Sequence, residues 1–308
     1  MKSNDNHYLR DKVAEKFISQ IPTIVIVGPT ASGKTALAIK LAKKYGGEII
    51  CADSKTIYKY MDIGTAKPTS NERAAVPHWG LDLIEPGERF TAADFKKYAR
   101  QKIDEIRNRK HIPFLVGGTG LYVDSVIFDY NFGSAGNEEL RRNLQHLSLD
   151  ELHKYCAINN IRLPENNKNI RYVVRAIERK DNKIDKLQQP IDNCIIVGIA
   201  TEKLDLRSRI SQRSEQLFDN GVVEEAKKLG KKYGWDSESM KTIFYPVIRK
   251  YIEGEISLDD AKIATAHLDW KLAKRQMTWL RRNPYIVWLQ AGEVESYIDK
   301  QLALLEQA

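Results

Sequence analysis

Short β-branched apolar runs separated by longer segments of helical spacing recur along most of the chain, which predicts an α/β fold with a parallel sheet flanked by helices. The first run, Thr23-Ile24-Val25-Ile26-Val27, lies between Pro22 and Gly28 and is almost wholly apolar, as a strand covered on both faces must be. Ala36 to Ala42 follows with strong helix formers. Glu48-Ile49-Ile50-Cys51-Ala52, Phe114-Leu115-Val116, Cys194 to Ile199 and Tyr285-Ile286-Val287-Trp288-Leu289 predict further strands. Thr91, with Asp94 three residues on, opens a helix to about Lys110; Ser257-Leu258-Asp259-Asp260 launches a longer one to about Arg282. Leu206, Ile210 and Leu217 form the apolar stripe of another helix, and residues 221–233 and 293–307 predict two more.

Two regions break this alternation. Residues 55–88 show no sustained period and are punctuated by Gly64, Pro68, Pro77, Gly80, Pro86 and Gly87, which predicts a long irregular segment of the kind that serves as a lid. From about Phe128, with Gly133 and Gly136 as a joint, residues 137–181 predict helices and no strand. The expected organisation is an N-terminal extension over 1–20, a short amphipathic helix or a frayed end; a core domain over 21–130 and 190–308; and an all-helical insertion domain over 131–189.

Between the first strand and helix, Gly28-Pro29-Thr30-Ala31-Ser32-Gly33-Lys34-Thr35 fits the phosphate-binding pattern G-x-x-x-x-G-K-[ST] at every fixed position, so the core is P-loop NTPase-like. In that turn backbone N–H groups point inward, the helix N-terminus adds positive potential, Lys34 reaches terminal phosphate oxygens and the Thr35 hydroxyl can ligate magnesium. The pattern alone suggests ATP and leaves open a nucleotide or another pyrophosphate. Asp53 follows the second strand, where ligands of open α/β sheets collect, and it either faces that crevice or caps a turn. Gly117-Gly118-Thr119-Gly120 permits close backbone approach and offers a hydroxyl, although a tight strand-to-helix turn needs no ligand.

Composition narrows the class. The 308 residues carry 49 lysines and arginines against 41 acidic residues, a net charge of +8 that favours polyanionic partners. Arg171, Arg175 and Arg179 fall on one helix face, and Arg141-Arg142 lies nearby; Lys271, Lys274, Arg275 and Arg282 share a side of the long helix, interleaved with Trp270 and Trp279. Such stripes suit a sugar-phosphate surface or form a solvated face. Cys51, Cys156 and Cys194 are odd in number and far apart, which fits a reduced cytoplasmic setting. No histidine spacing suggests a protein-caged metal, and no apolar run approaches a membrane span.

Ala52-Asp53-Ser54, Met61-Asp62-Ile63-Gly64-Thr65-Ala66-Lys67-Pro68, Val116 to Tyr122 and Ala273-Lys274-Arg275-Gln276-Met277-Thr278-Trp279-Leu280-Arg281 follow the phosphate loop in order. With it they resemble the bacterial tRNA dimethylallyltransferases, the isopentenyl-tRNA transferase family, over nearly everything from Thr23 to Trp288. The resemblance implies that an adenosine amine beside the tRNA anticodon attacks dimethylallyl diphosphate and expels pyrophosphate. It implies Asp53 as base, Thr119 as a channel hydroxyl, Arg213 as a pyrophosphate ligand, magnesium on Thr35, and residues 28–35 around the diphosphate. Contacts to the tRNA anticodon stem-loop are expected from Asp53, Ser54, Lys55 and Thr56; from Arg141, Arg171 and Arg175; from Lys241 and Tyr245; and from Lys274, Arg275, Gln276, Trp279 and Arg281. A cytoplasmic monomer with no membrane partner is expected.

The chain departs from the family pattern on the tRNA side. Thr56 stands where glutamine is common, Phe244-Tyr245-Pro246-Val247 replaces a Gly-Tyr-Lys-Glu type of segment, Asp269-Trp270 replaces Thr-Arg, and Asn169 and Tyr172 stand for Asp and Arg. Proline at 246 is expected to stiffen a loop that follows RNA. The alternatives are an adenylate prenyltransferase, a P-loop kinase, and an RNA-binding descendant without turnover.

Overall fold

Among the described residues six short strands form one sheet: β1 (Thr23–Val27), β2 (Gly47–Cys51), β3 (His78–Trp79), β4 (Ile112–Gly117), β5 (Cys194–Ile199) and β6 (Val287–Leu289). In space they run β3-β2-β4-β1-β5-β6, every neighbouring pair parallel. The structure is a computed structural model that describes residues 21–133, 138–179, 185–241 and 244–307; the extension expected over 1–20 and the joint residue Gly136 lie outside the described residues. Parallel strands need crossovers, and helices supply them. Before the insertion these are α1 (Lys34–Tyr45), α2 (Ser70–Ala75), α3 (Ala92–Asn108) and α4 (Gly120–Ile127). Ile24, Ile26, Phe114, Val116, Ile195 and Val197 of the sheet bury one face against Ala38, Ile39 and Leu41 of α1.

The chain divides into two compact units, Met1–Phe128 with Gln189–Ala308, and Asp129–Gln188. The smaller unit holds α5 (Glu138–Gln145), α6 (Leu149–Ile158) and α7 (Ile170–Arg179), joined over Leu144, Leu152, Cys156, Val173 and Ile177. In the larger unit the chain continues through α8 (Lys203–Asp219), α9 (Val222–Tyr233), α10 (Tyr245–Ile252), α11 (Leu258–Leu280) and α12 (Val294–Glu306). Capping boxes open α3, where Thr91 and Asp94 exchange side-chain and backbone bonds, and Ser257 caps α11 through the Asp260 N–H.

Two expectations change. The irregular 55–88 segment contains α2, opened by a Thr69–Glu72 capping box, and the edge strand β3. α2 buries no residue and β3 is only two residues long, so neither leaves an apolar period to read. The segment at Pro246 is the start of helix α10, where proline's fixed φ and missing N–H suit the first turn, rather than a stiffened loop.

At the amino end of β2, Glu48 ties three elements together. Its carboxylate accepts two bonds from Arg109 (2.9 and 2.8 Å), one from Trp79 Nε1 (2.7 Å), and meets His111 Nδ1 at 2.8 Å. Burial would raise its pKa, but the bonds from Arg109, His111 and Trp79 hold it down at about 2.

Candidate active site

The strand order decides which loops meet. β2, β4 and β1 are neighbours, with Val27 opposite Gly117 and Val116 opposite Cys51, so the turns leaving their carboxyl ends lie side by side. The phosphate loop leaves β1, Gly118-Thr119 leaves β4, and Asp53 lies just past β2. Thr30, Lys34, Thr35, Asp53, Thr119 and Arg213 line one cavity of about 300 Å³.

The loop is built for an anion. Ala31 and Gly33 take left-handed conformations, φ 61° and 84°, which turn successive N–H groups to one side. Gly33 precedes α1 without a capping side chain, so the helix N-terminus keeps its positive potential for a ligand. Lys34 Nζ donates to the Pro29 carbonyl at 3.1 Å, and burial, with Arg213 adding to it, lowers its pKa to about 8 against the opposing pull of Asp53 and Asp269. Arg213, from α8, donates through Nη1 to Thr30 Oγ1 at 2.8 Å. Gly28 gives Ser32 room: a Cβ there would fall 2.8 Å from Ser32 Oγ and push that hydroxyl aside. Of the eight loop residues Thr30, Lys34 and Thr35 face the cavity, while Gly28, Pro29, Ala31, Ser32 and Gly33 shape the turn.

Asp53 both caps a turn and faces the crevice: its Oδ1 accepts from Lys55 N at 2.8 Å and the residue lines the cavity. Thr119 Oγ1 accepts from Ser54 N at 3.1 Å and its N–H donates to the Ala52 carbonyl at 3.3 Å, so the β2 and β4 turns are cross-linked beside the phosphate loop. Ser54, Lys55 and Thr56 line the same cavity. Cys51 does too, and burial pushes its thiol up to about 12, leaving it protonated.

Helix α11 crosses this edge and contributes Asp269, Arg275 and Gln276 to the wall. Its position is set by α8, through Leu206, Ile210 and Ala273 and through Ser214 Oγ, which donates to the Lys262 carbonyl at 2.7 Å. Trp270 stacks under the Arg207 guanidinium, 4.7 Å from ring centroid to Cζ. Asp269 is 2% exposed and lies 3.4 Å from Arg213 Nε, out of line for a hydrogen bond. Burial pushes its carboxyl up, while Arg213, Lys34 and a bond from Thr30 pull it down.

Of the other residues expected to touch tRNA, some are exposed, two are paired on a carboxylate and three turn inward. Lys241, Lys274, Arg275 and Arg281 are exposed, as is Arg171 on the smaller unit. Arg141 and Arg175 converge on Glu178, Arg175 Nη1 at 3.1 Å and Arg141 as a bidentate pair, with Glu178 buried between them. Gln276 and Trp279 turn inward. Gln276 Oε1 accepts from Thr30 N at 2.8 Å, and Trp279 Nε1 donates to Asp124 Oδ2 at 2.6 Å. Both account for the glycines opposite: a Cβ on Gly118 would fall 2.4 Å from Gln276 Nε2, and one on Gly120 2.0 Å from Trp279 Cδ1. Tyr245 is corrected as a surface contact, being fully buried with its hydroxyl donating to Glu225 Oε1 at 2.8 Å.

Sequence reasoning missed the residue on which this wall hangs. Glu225 of α9 accepts from the backbone N–H groups of Asp62, Ile63 and Gly64 at 2.7–2.8 Å, as well as from Tyr245. Lys67 holds the same turn from the other end, donating to the Tyr58 carbonyl at 2.6 Å and to Asp62 and Asp82. The Met61–Pro68 signature is therefore a clasp whose Gly64, Thr65 and Ala66 line the cavity.

Known proteins show which family the chain belongs to. The IPP transferase family model matches residues 56–283, and an isopentenyl transferase model matches residues 21–79. A tRNA dimethylallyltransferase of Staphylococcus saprophyticus is 39% identical over 86% of this chain and 90% of its own length. The crystal structure of the tRNA isopentenylpyrophosphate transferase of Bacillus halodurans superposes with a TM-score of 0.71 at 34% identity, covering 93% of this chain and 98% of that one. The corresponding enzyme of Staphylococcus epidermidis gives 0.67 at 32% identity, covering 91% and 99%. With a family model spanning most of its length and a relative at this level of identity, the chain belongs to the IPP transferase family.

Proposed function

We propose that this chain transfers a dimethylallyl group from dimethylallyl diphosphate to the exocyclic amine of the adenosine adjacent to the anticodon of tRNA. One observation carries this: a single cavity joins an anion-binding loop to a carboxylate and a hydroxyl on the neighbouring turns. A kinase can use both such a loop and a base beside it, and what favours prenyl transfer is membership of the IPP transferase family.

The adenine amine is a weak nucleophile because its lone pair is delocalised into the ring. As its nitrogen bonds to the first carbon of the donor, Asp53 takes the proton, and the bond from Lys55 N holds the carboxylate in one rotamer for that task. Thr119 supports the amine. The carbon–oxygen bond breaks and its electron pair leaves with pyrophosphate, whose growing charge meets Lys34, Arg213 and the loop N–H groups. Magnesium suits this cavity, since Thr35 offers a hard oxygen donor beside the diphosphate oxygens and the Cys51 sulfur stays protonated. When bound there it would neutralise part of the diphosphate charge. Lys241, Lys274, Arg275 and Arg281, with Arg141, Arg171 and Arg175 of the helical unit, are the surfaces we assign to the anticodon stem-loop. We assign the protein to the cytoplasm as a monomer; its three cysteines are free, and no described helix is long and apolar enough to cross a membrane.

The test uses dimethylallyl diphosphate labelled in the prenyl group, with magnesium, offered to tRNA lacking the modification or to AMP. Label in precipitable RNA is expected. Label in AMP alone selects the adenylate reading, and ATP consumption without prenyl transfer selects the kinase.

A further inference from the structure

Asp269 is a carboxylate where an anion is meant to bind. It lines the cavity with Lys34 and Thr35, is 2% exposed, and its Oδ1 has no hydrogen-bond partner among the described residues. Its neighbour Arg213 does not resolve this, for the 3.4 Å approach is poorly aligned and Arg213 Nε is itself unpartnered. A diphosphate in the loop would bring further negative charge to the same wall and contest Arg213 and Lys34 with the carboxylate. A cation between the two anions makes the arrangement favourable.

We propose that Asp269 is the protein carboxylate that ligates the divalent cation accompanying the diphosphate, with Thr35 supplying a hydroxyl and the diphosphate the remaining oxygens. This rests on the reading that the loop takes a diphosphate. Magnesium prefers one or two carboxylates together with substrate phosphates and retained waters, so a complete protein cage is unnecessary. None exists among the described residues, where no group of three or more His, Cys, Asp or Glu could hold a metal. The division of labour also protects the base: Asp53 has one oxygen engaged by Lys55 N, and metal ligation would make it a poorer proton acceptor. Asp269 sits on α11 and Asp53 beyond β2, so one carboxylate serves the leaving group and the other the acceptor.

The experiment is calorimetric titration of the full chain with inorganic pyrophosphate, in chelator and in saturating magnesium. In the wild type magnesium is expected to tighten binding about 10- to 100-fold. In Asp269→Asn the metal-free affinity should stay equal or improve, as a negative charge is removed, and the gain from magnesium should fall to within about threefold; Asp269→Glu should recover part of it. An unchanged magnesium gain in Asp269→Asn overturns the proposal, whether affinity rises or falls in parallel. Wild-type chain that binds no pyrophosphate under either condition overturns both this proposal and the diphosphate reading beneath it. A measurement on the wild type guards against a variant that fails to fold: ferrous iron replacing magnesium, with peroxide and pyrophosphate, cleaves backbone near its ligands. Pyrophosphate-dependent cleavage near residues 35 and 269 is expected, and cleavage near 35 and 53 without 269 refutes the assignment.

Discussion

Replacing Glu225 by glutamine keeps shape and removes charge, and the geometry states what that costs. Every group facing this carboxylate is a donor: Asp62 and Ile63 N–H on Oε2 at 2.8 and 2.7 Å, and Gly64 N–H and the Tyr245 hydroxyl on Oε1, both at 2.8 Å. An amide group has one acceptor oxygen, so its NH₂ must face donors whichever way it turns. The better orientation points the NH₂ at Tyr245, whose hydroxyl can rotate to accept, and leaves the Gly64 N–H without a partner. One unsatisfied N–H plus lost charge assistance on the remaining bonds amounts to about 3 kcal/mol. Urea denaturation measures this directly, and Glu225→Ala, which removes the acceptor from all four donors, should cost more than Glu225→Gln. Because Gly64, Thr65 and Ala66 line the cavity, the KM for the prenyl donor should also rise several-fold. A Glu225→Gln chain within about 0.5 kcal/mol of wild type would refute the clasp.

Further outcomes follow from other contacts. Glu48 falls from an ordinary 4.5 to about 2 on folding, so its contribution of about 3 kcal/mol is present above pH 4.5 and lost as pH falls toward 2; Glu48→Gln should flatten the stability profile across that window in an acid titration followed by circular dichroism. Gly118→Ala forces a Cβ to within 2.4 Å of Gln276 Nε2 and 3.0 Å of the Gly28 carbonyl, so a loss of about 1–3 kcal/mol and weaker pyrophosphate binding are expected by thermal unfolding and calorimetry. Asp53→Ala should slow single-turnover transfer about 10²- to 10⁴-fold while donor affinity changes little, and a collapse of donor binding would contradict its role as base.

The core strands were legible because strands covered on both faces carry uninterrupted apolar runs, and the phosphate loop because its chemistry is local. Both capped helix starts, at Thr91 and Ser257, were legible for the same reason. What escaped was short or long-range. α2 has no buried face, and α10 begins at a proline that reads as a loop when its neighbours are unknown. Gln276 looks like one more polar residue on a basic helix until α11 brings it to Thr30, 246 residues away in sequence. Tyr245 resembles a surface aromatic until Glu225 is found against its hydroxyl. Asp269 read as part of a lost Thr-Arg pair; only the crossing of α11 over the sheet edge shows it as a buried carboxylate beside the phosphate loop.

Nucleoside analysis decides whether this chain prenylates tRNA. Purified chain, magnesium, dimethylallyl diphosphate and tRNA lacking the modification are incubated, and the digested RNA is resolved by mass spectrometry. Isopentenyladenosine at the position next to the anticodon, formed with wild type and nearly absent with Asp53→Ala, is the predicted result. No isopentenyladenosine from a wild-type chain that binds both donor and tRNA would contradict the account.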